Sequence, residues 1–256
     1  MSTNKFINSA KKTIEIQADS IASLINQIDK SFAEIGKKVS LLKGKLIVMG
    51  VGKSGHVGQK VSATLASTGT PSFFIHPTEA AHGDLGMIAK DDAVLIFSNS
   101  GETKEVTAIL PALKRMTSDI FSITGNANSS IAKASSVHLK VQVEKEACPH
   151  DLAPTSSTTA SMVIGDALAI SLIEEKNFSS EDFAKSHPAG ELGKKLTTYV
   201  GDLAISGNKV PCIEIDASIK DTIIEITSKK LGMALVVKDE EVVGIFTDGD
   251  LRRALN

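Results

Sequence analysis

The chain has 256 residues and a mass of 27.0 kDa, enough for one large domain or one domain with a small appendage. Its 42% hydrophobic and 23% charged residues are those of a folded globular chain and exclude wholesale disorder. With 28 Lys+Arg against 30 Asp+Glu the net charge is −2, and there are nine Phe, one Tyr and no Trp. A surface that neutralises many phosphates and a base-stacking platform are both excluded, so no nucleic-acid partner is expected.

The start of the chain, residues 1–12, is polar and lacks the apolar centre of a signal peptide. No unbroken apolar run approaches the ~18–20 residues of a membrane span, so no membrane partner is expected. Cys148 and Cys212 lie far apart, which fits a reduced, cytoplasmic setting without a disulfide framework. The first forty residues read as helix. Ile7, Ile14, Ile21 and Ile28 recur every seven positions, and Leu24 and Ile25 widen the stripe. That stripe serves either to cover the core or to meet a partner subunit.

From Lys45 the pattern changes to short apolar runs separated by helical stretches. The runs are residues 46–49, 73–75, 93–97 and 120–123, with a weaker one at 137–141. Continuous apolar runs of this length fit strands buried on both faces. Helices expected at 54–67, 103–116, 128–134 and 157–175 make the fold an α/β class with a doubly wound, parallel, five-stranded sheet. Ligands in such sheets bind at the carboxyl ends of the strands. Near residue 200 a linker is expected, followed by a small β-α-β-β-α unit with a polar turn at Asp239-Glu240-Glu241. The expected domains are therefore 1–200 and 201–256. The second is small to stand alone and shows no second copy of itself.

Gly50-Val51-Gly52-Lys53-Ser54-Gly55 follows the first strand and opens a helix. It matches the dinucleotide fingerprint, but the next strand ends Ile75-His76-Pro77 without the ribose-binding acid. It is not a Walker loop either, since the first glycine of that motif would fall on Ile47. A glycine turn with a lysine beside it suits a smaller anionic ligand better than it suits an ordinary surface turn. Ser98-Asn99-Ser100-Gly101-Glu102-Thr103 leads from the third strand into the next helix. Capping needs one hydroxyl and this loop offers three, so an anion site is favoured over a plain N-cap. Glu105 follows in the first helical turn, where its ordinary role is to offset the macrodipole.

Ser156-Ser157-Thr158-Thr159 precedes an apolar helix, and capping and a second ligand loop are equally consistent with it. Glu146, leaving the fifth strand, is a surface acid or a general base. Cys148 with His150, and His76 with His82 six residues on, are weak zinc patterns by spacing. His187, between Ser186 and Pro188, is by itself more often structural than catalytic.

Together these motifs resemble the sugar isomerase (SIS) domain family. The stretches 70–77, 80–86, Lys145-Glu146-Ala147-Cys148-Pro149 and Ser186-His187-Pro188 are similar, within it, to the arabinose 5-phosphate isomerases that feed Kdo synthesis for lipopolysaccharide. The likeness spans roughly residues 5–200. Residues 244–253 resemble the end of a cystathionine-β-synthase-type (CBS) motif, which in the family usually comes as a pair. The resemblance implies interconversion of D-arabinose 5-phosphate and D-ribulose 5-phosphate by a homotetramer that requires no cofactor. It implies Lys53, Glu105, Glu146 and His187 as the catalytic set. Glu146 is the first candidate for the base, with His187 and Glu105 as alternatives. Gly52, Ser54, Gly69, Thr70, His76, His82, Ser98, Asn99, Ser100, Thr103, Ser156, Ser157 and Thr158 would bind the sugar phosphate. The family's sensitivity to zinc makes His76 the contact for an inhibitory metal ion. A competing class is a phosphosugar-binding regulatory module without turnover.

Overall fold

The computed structural model describes residues 3–188 and 190–255. By internal contact the chain divides into two units, Met1–Thr197 and Thr198–Asn256.

In the first unit the N-terminal helical region is broken. Helix α1 is Thr3–Leu24, a 3₁₀ turn covers Ile25–Gln27, and α2 is Lys30–Ser40, started by the Asp29 side chain accepting from the Ser31 amide. The heptad of isoleucines is not the inward face of α1. Ile7 and Ile14 are exposed, whereas Ser20 and Leu24 are buried.

The sheet strands are β1 Leu46–Met49, β2 Ser72–Phe74, β3 Ala93–Phe97, β4 Ile120–Thr124 and β5 Val137–Lys140, all parallel in the order β2-β1-β3-β4-β5. Between and after them run α3 Lys53–Ser67, α4 Pro77–Ala81, α5 Lys104–Met116, α6 Ser130–Ala134 and α7 Ser156–Lys176. Every residue of β1, β3 and β4 is buried, because helices cover both faces. Alternate residues divide the core. Leu46, Val48, Leu95, Phe97 and Phe121 pack with Val61, Leu65, Ile164 and Leu168 of α3 and α7. Ile47, Met49, Val94 and Ile96 pack on the other face with Val106, Ile109 and Leu113 of α5. Helix α7, 21 residues long, is apolar enough by length and composition to cross a bilayer. Here it is a core helix, packed against α1, α2 and α3.

The strand order fixes where a ligand goes. From β1 the chain winds outward to β2, then returns past β1 to β3 and continues the other way. The topological switch point therefore lies between the carboxyl ends of β1 and β3. After α7 come α8 Ser180–Ser186 and α9 Glu191–Thr197.

The second unit holds α10 Val200–Leu203, β6 Cys212–Glu214, α11 Ile219–Lys229, β7 Met233–Lys238, β8 Glu241–Thr247 and α12 Asp248–Leu255. β6 pairs parallel with β7, and β7 pairs antiparallel with β8. Asp239 and Glu240 both have positive φ, 51° and 67°, the left-handed pair that a tight hairpin requires. Asp250 accepts from the Thr247 amide and hydroxyl and pairs with Arg253, and these bonds hold its carboxyl down at about 2.

Candidate active site

Two glycine-bearing loops meet at the switch point. The first joins β1 to α3. A Cβ on Gly50 would lie 2.8 Å from the Ser54 carbonyl oxygen, and one on Gly55 would lie 2.9 Å from the Gly50 carbonyl oxygen, so only glycine lets this turn close. Gly52 is the cap residue of α3 and offers no side-chain acceptor. Lys53 is the first helical residue, exposed, and makes no ion pair among the described residues. Ser54 is half-buried beside it.

The second loop joins β3 to α5. Ser98 is buried, and its hydroxyl is 2.8 Å from that of Thr103 while accepting from the Gly101 amide at 3.1 Å. Ser98 thus holds the loop closed from inside. Asn99, Ser100 and Glu102 are exposed, and the Glu102 amide donates to Ser100 Oγ at 3.2 Å. Thr103 caps α5 with no side-chain bond to its first amides. Two long helices therefore begin at the switch point with their N-terminal amides uncapped, and Lys53 and Ser100 stand exposed beside them. That arrangement has the geometry and charge to accept an anion.

Helix α7 begins differently. Glu146, in the loop after β5, reaches its first turn. Glu146 Oε2 accepts from the Thr155 amide (2.7 Å), the Thr155 hydroxyl (3.0 Å) and the Ser157 amide (3.3 Å), and Oε1 accepts from the Ser157 hydroxyl. Burial pushes this carboxyl up, but the bonds from Ser157 and Thr155 outweigh it and hold the pKa below its ordinary 4.5. A carboxylate already fills the α7 N-terminus, whereas those of α3 and α5 carry no side-chain cap. Ser157 is tied to Glu146, and the Thr158 hydroxyl to the Thr155 carbonyl at 2.9 Å. Ser156 is fully buried, with no hydrogen-bond partner for its hydroxyl among the described residues. Among the described residues no hydroxyl of the 156–159 cluster accepts from the first amides of α7, a place that Glu146 takes instead, and Ser156 is fully buried in this chain.

Gly69 and Thr70 are not brought to the switch point of their own chain. They precede β2, at the amino edge of the sheet, opposite the switch point. Gly69 has φ +86° and leaves room for the Phe178 ring, 2.3 Å from where a Cβ would stand. Thr70 is buried and accepts from Lys176 Nζ at 3.0 Å; burial lowers the pKa of that lysine.

Glu105 is exposed in the first turn of α5. His76 stands between β2 and α4, where Nδ1 accepts from the Thr78 amide at 3.2 Å. The neutral ring therefore carries its proton on Nε2, as a donor. His82 closes α4 and is exposed. His187 ends α8. Its Nδ1 lies 2.9 Å from the Phe183 carbonyl oxygen, which only accepts, so Nδ1 holds the proton and Nε2 is left as an acceptor. The ring stacks on Phe183 at 4.0 Å. Among the described residues the hydrogen bonds of His187 run to Phe183, Ala184 and Gly190, within the α8–α9 corner. Among the described residues no group of three or more His, Cys, Asp or Glu side chains is arranged to hold a metal ion, so His76 has no ready co-ligands.

Residues 42–171 match the SIS domain family and residues 200–256 the CBS domain family. The chain is 51% identical to an arabinose 5-phosphate isomerase of Pseudomonas aeruginosa and 50% identical to one of Escherichia coli K12, over 98% of its own length and 77% of theirs. The chain belongs to the arabinose 5-phosphate isomerase family. It is an isomerase of the SIS fold with a CBS unit attached. A solved structure of an Escherichia coli CFT073 protein in complex with arabinose 5-phosphate is 43% identical and superposes with a TM-score of 0.72, covering 73% of this chain and 100% of that one.

Glu102 is the residue of this site that motif reading leaves without a role. Its Oε1 accepts from the Ser130 amide at 2.7 Å, tying the β3–α5 loop to the start of α6, and that bond lowers its pKa. Only its place inside the hydroxyl motif signals it in the sequence.

Proposed function

We propose that the chain interconverts D-arabinose 5-phosphate and D-ribulose 5-phosphate through an enediolate, and so supplies the aldose phosphate for Kdo and lipopolysaccharide synthesis. One observation carries the reading: two uncapped helix N-termini and Lys53 converge at the switch point, in a chain half-identical to isomerases of that name. The phosphate lies against the α3 and α5 amides, with Ser100 and Thr103. Asn99, Gly52, Ser54, His76 and His82 line the sugar.

The chemistry needs only acids and bases. A base takes the proton from C2 while O1 gains one; the proton returns at C1 while O2 loses its own, and the ketose results. Lys53 offsets the negative charge of the enediolate. Glu146 is ionised throughout the neutral range, and its Oε1, which accepts a single hydrogen bond, is the basic atom. His187 offers Nε2, the ring nitrogen not bonded to the Phe183 carbonyl, for ring opening and proton relay, either in its own subunit or across to a neighbour. Glu105 orients Lys53.

No cofactor enters this scheme. An inhibitory zinc would take His76 Nε2, displacing the proton there. The protein works as a cytoplasmic homotetramer, and the exposed Phe6, Ile7 and Ile14 of α1 support a contact between subunits. The test is turnover of arabinose 5-phosphate by purified protein in chelator without nucleotide. Appearance of ribulose 5-phosphate is expected. Tight binding without turnover refutes the enzyme reading and makes the chain a phosphosugar sensor.

A further inference from the structure

The anion-binding loop at residues 98–103 does not stand alone. It rests on the turn that follows β4. The Gly125 amide donates to the Asn99 carbonyl oxygen at 2.9 Å. Gly101, at φ +68°, lies within ordinary van der Waals reach of the same turn, where a Cβ would stand 3.4 Å from Thr124 Oγ1. The turn is therefore tied to the 98–103 loop by one hydrogen bond and one packing contact.

Thr124 governs the turn. Its side chain is buried, its Oγ1 lies 3.0 Å from the Asn126 carbonyl oxygen, and the Asn126 amide donates to it at 3.2 Å. The hydroxyl has one proton, and the carbonyl can only accept, so that proton goes to Asn126. His138 Nε2 lies 2.9 Å from the same oxygen. With the hydroxyl proton committed, the ring must donate. His138 sits on β5 in register with Ser122, on the face opposite Val137 and Leu139, which point into the core. Burial lowers its pKa, favouring the neutral ring.

We propose that His138 is a positioning residue for the phosphate loop: its Nε2–H sets the direction of the Thr124 hydroxyl, which shapes the 124–126 turn that carries Asn99 and Gly101. His138 touches no reacting atom. Its effect is on how well the loop amides fit a phosphate, which is held alike in the ground and transition states.

The inference rests on the phosphate-loop assignment above, and the experiment separates the two. Steady-state kinetics and inhibition by inorganic phosphate are measured for the wild type, His138→Phe, His138→Gln, Thr124→Val and Ser100→Ala. Phe keeps the ring volume and removes the donor, whereas Gln supplies an N–H at similar reach. Loss of one buried hydrogen bond predicts that His138→Phe and Thr124→Val each raise KM and the phosphate inhibition constant together, by about three- to tenfold, with kcat within about twofold. His138→Gln should restore both. Unchanged constants in folded His138→Phe, or equal effects of Phe and Gln, overturn the inference. Failure of both His138→Phe and Thr124→Val to fold also overturns it, in favour of a role in the fold. If Ser100→Ala leaves KM and phosphate inhibition unmoved, the phosphate-loop assignment itself fails.

Discussion

Replacing Glu146 by Gln separates two duties of one side chain. The carboxylate accepts four hydrogen bonds at the α7 N-terminus, three of them on Oε2. The amide oxygen of Gln can take the Oε2 place and keep those three. Its NH₂ then faces Ser157, whose hydroxyl turns round to accept. What is lost is the charge in four charge-assisted bonds and at a helix N-terminus, about 1–2 kcal/mol in all. That lowers the melting temperature by a few degrees, about 2–4 °C per kcal/mol in a domain of this size, and leaves the protein folded. A general base is worth about 10²–10⁴ in rate, so kcat should fall by that factor if Oε1 takes the C2 proton. Thermal melting by circular dichroism reads the first effect, and initial rates on arabinose 5-phosphate read the second. A folded Glu146→Gln protein with kcat within tenfold of wild type refutes the base assignment. If His187→Asn abolishes turnover at the same time, the role passes to His187 Nε2. The pH dependence has a definite sign. The folded pKa of Glu146 lies below its ordinary 4.5, so its stabilisation is fully present above about 4.5. It is lost as pH falls through the lower folded value, and Glu146→Gln should flatten the acid limb of stability against pH.

Two further substitutions test the frame around the site. Gly101→Ala places a Cβ 2.0 Å from Ser129 Oγ at a positive φ, so left-handed strain and overpacking should cost about 2–4 kcal/mol in chemical denaturation and raise KM; wild-type stability and KM together would contradict this loop geometry. Asp92 is buried at the amino edge and accepts from the Lys45 amide at 2.7 Å and the Ala89 amide at 2.8 Å, so Asp92→Ala should destabilise by about 2–4 kcal/mol with KM unchanged, and a raised KM at normal stability would contradict its place far from the ligand.

The strands were legible because β1, β3 and β4 are buried on both faces and so carry unbroken apolar runs. The two loops at the switch point were legible because glycines and hydroxyls crowd the two strand ends that form it. The inward face of α1 was not. The isoleucine heptad stands out in composition, while the face that packs carries Ser20 beside Leu24, and the helix ends before Ile28. Gly69 and Thr70 entered the binding set only through the family resemblance. Strand direction, which puts them at the amino edge, appears only in the assembled sheet. Glu146 as a cap was hidden because its donors come nine and eleven residues later, across a loop. His138 left only a polar residue in a weak strand, and its partner Thr124 lies on the neighbouring strand.

An isomerase acting by the proposed route moves a proton between C1 and C2 of a pentose 5-phosphate. The most direct measurement follows arabinose 5-phosphate by proton NMR in D₂O, with purified protein and chelator present. The enediolate route predicts ribulose 5-phosphate carrying deuterium at C1. Ribulose 5-phosphate formed with no deuterium at C1 would contradict the exchange of that proton through a solvent-accessible base. Saturable binding of arabinose 5-phosphate with no ketose formed would contradict the assignment as an isomerase of this substrate.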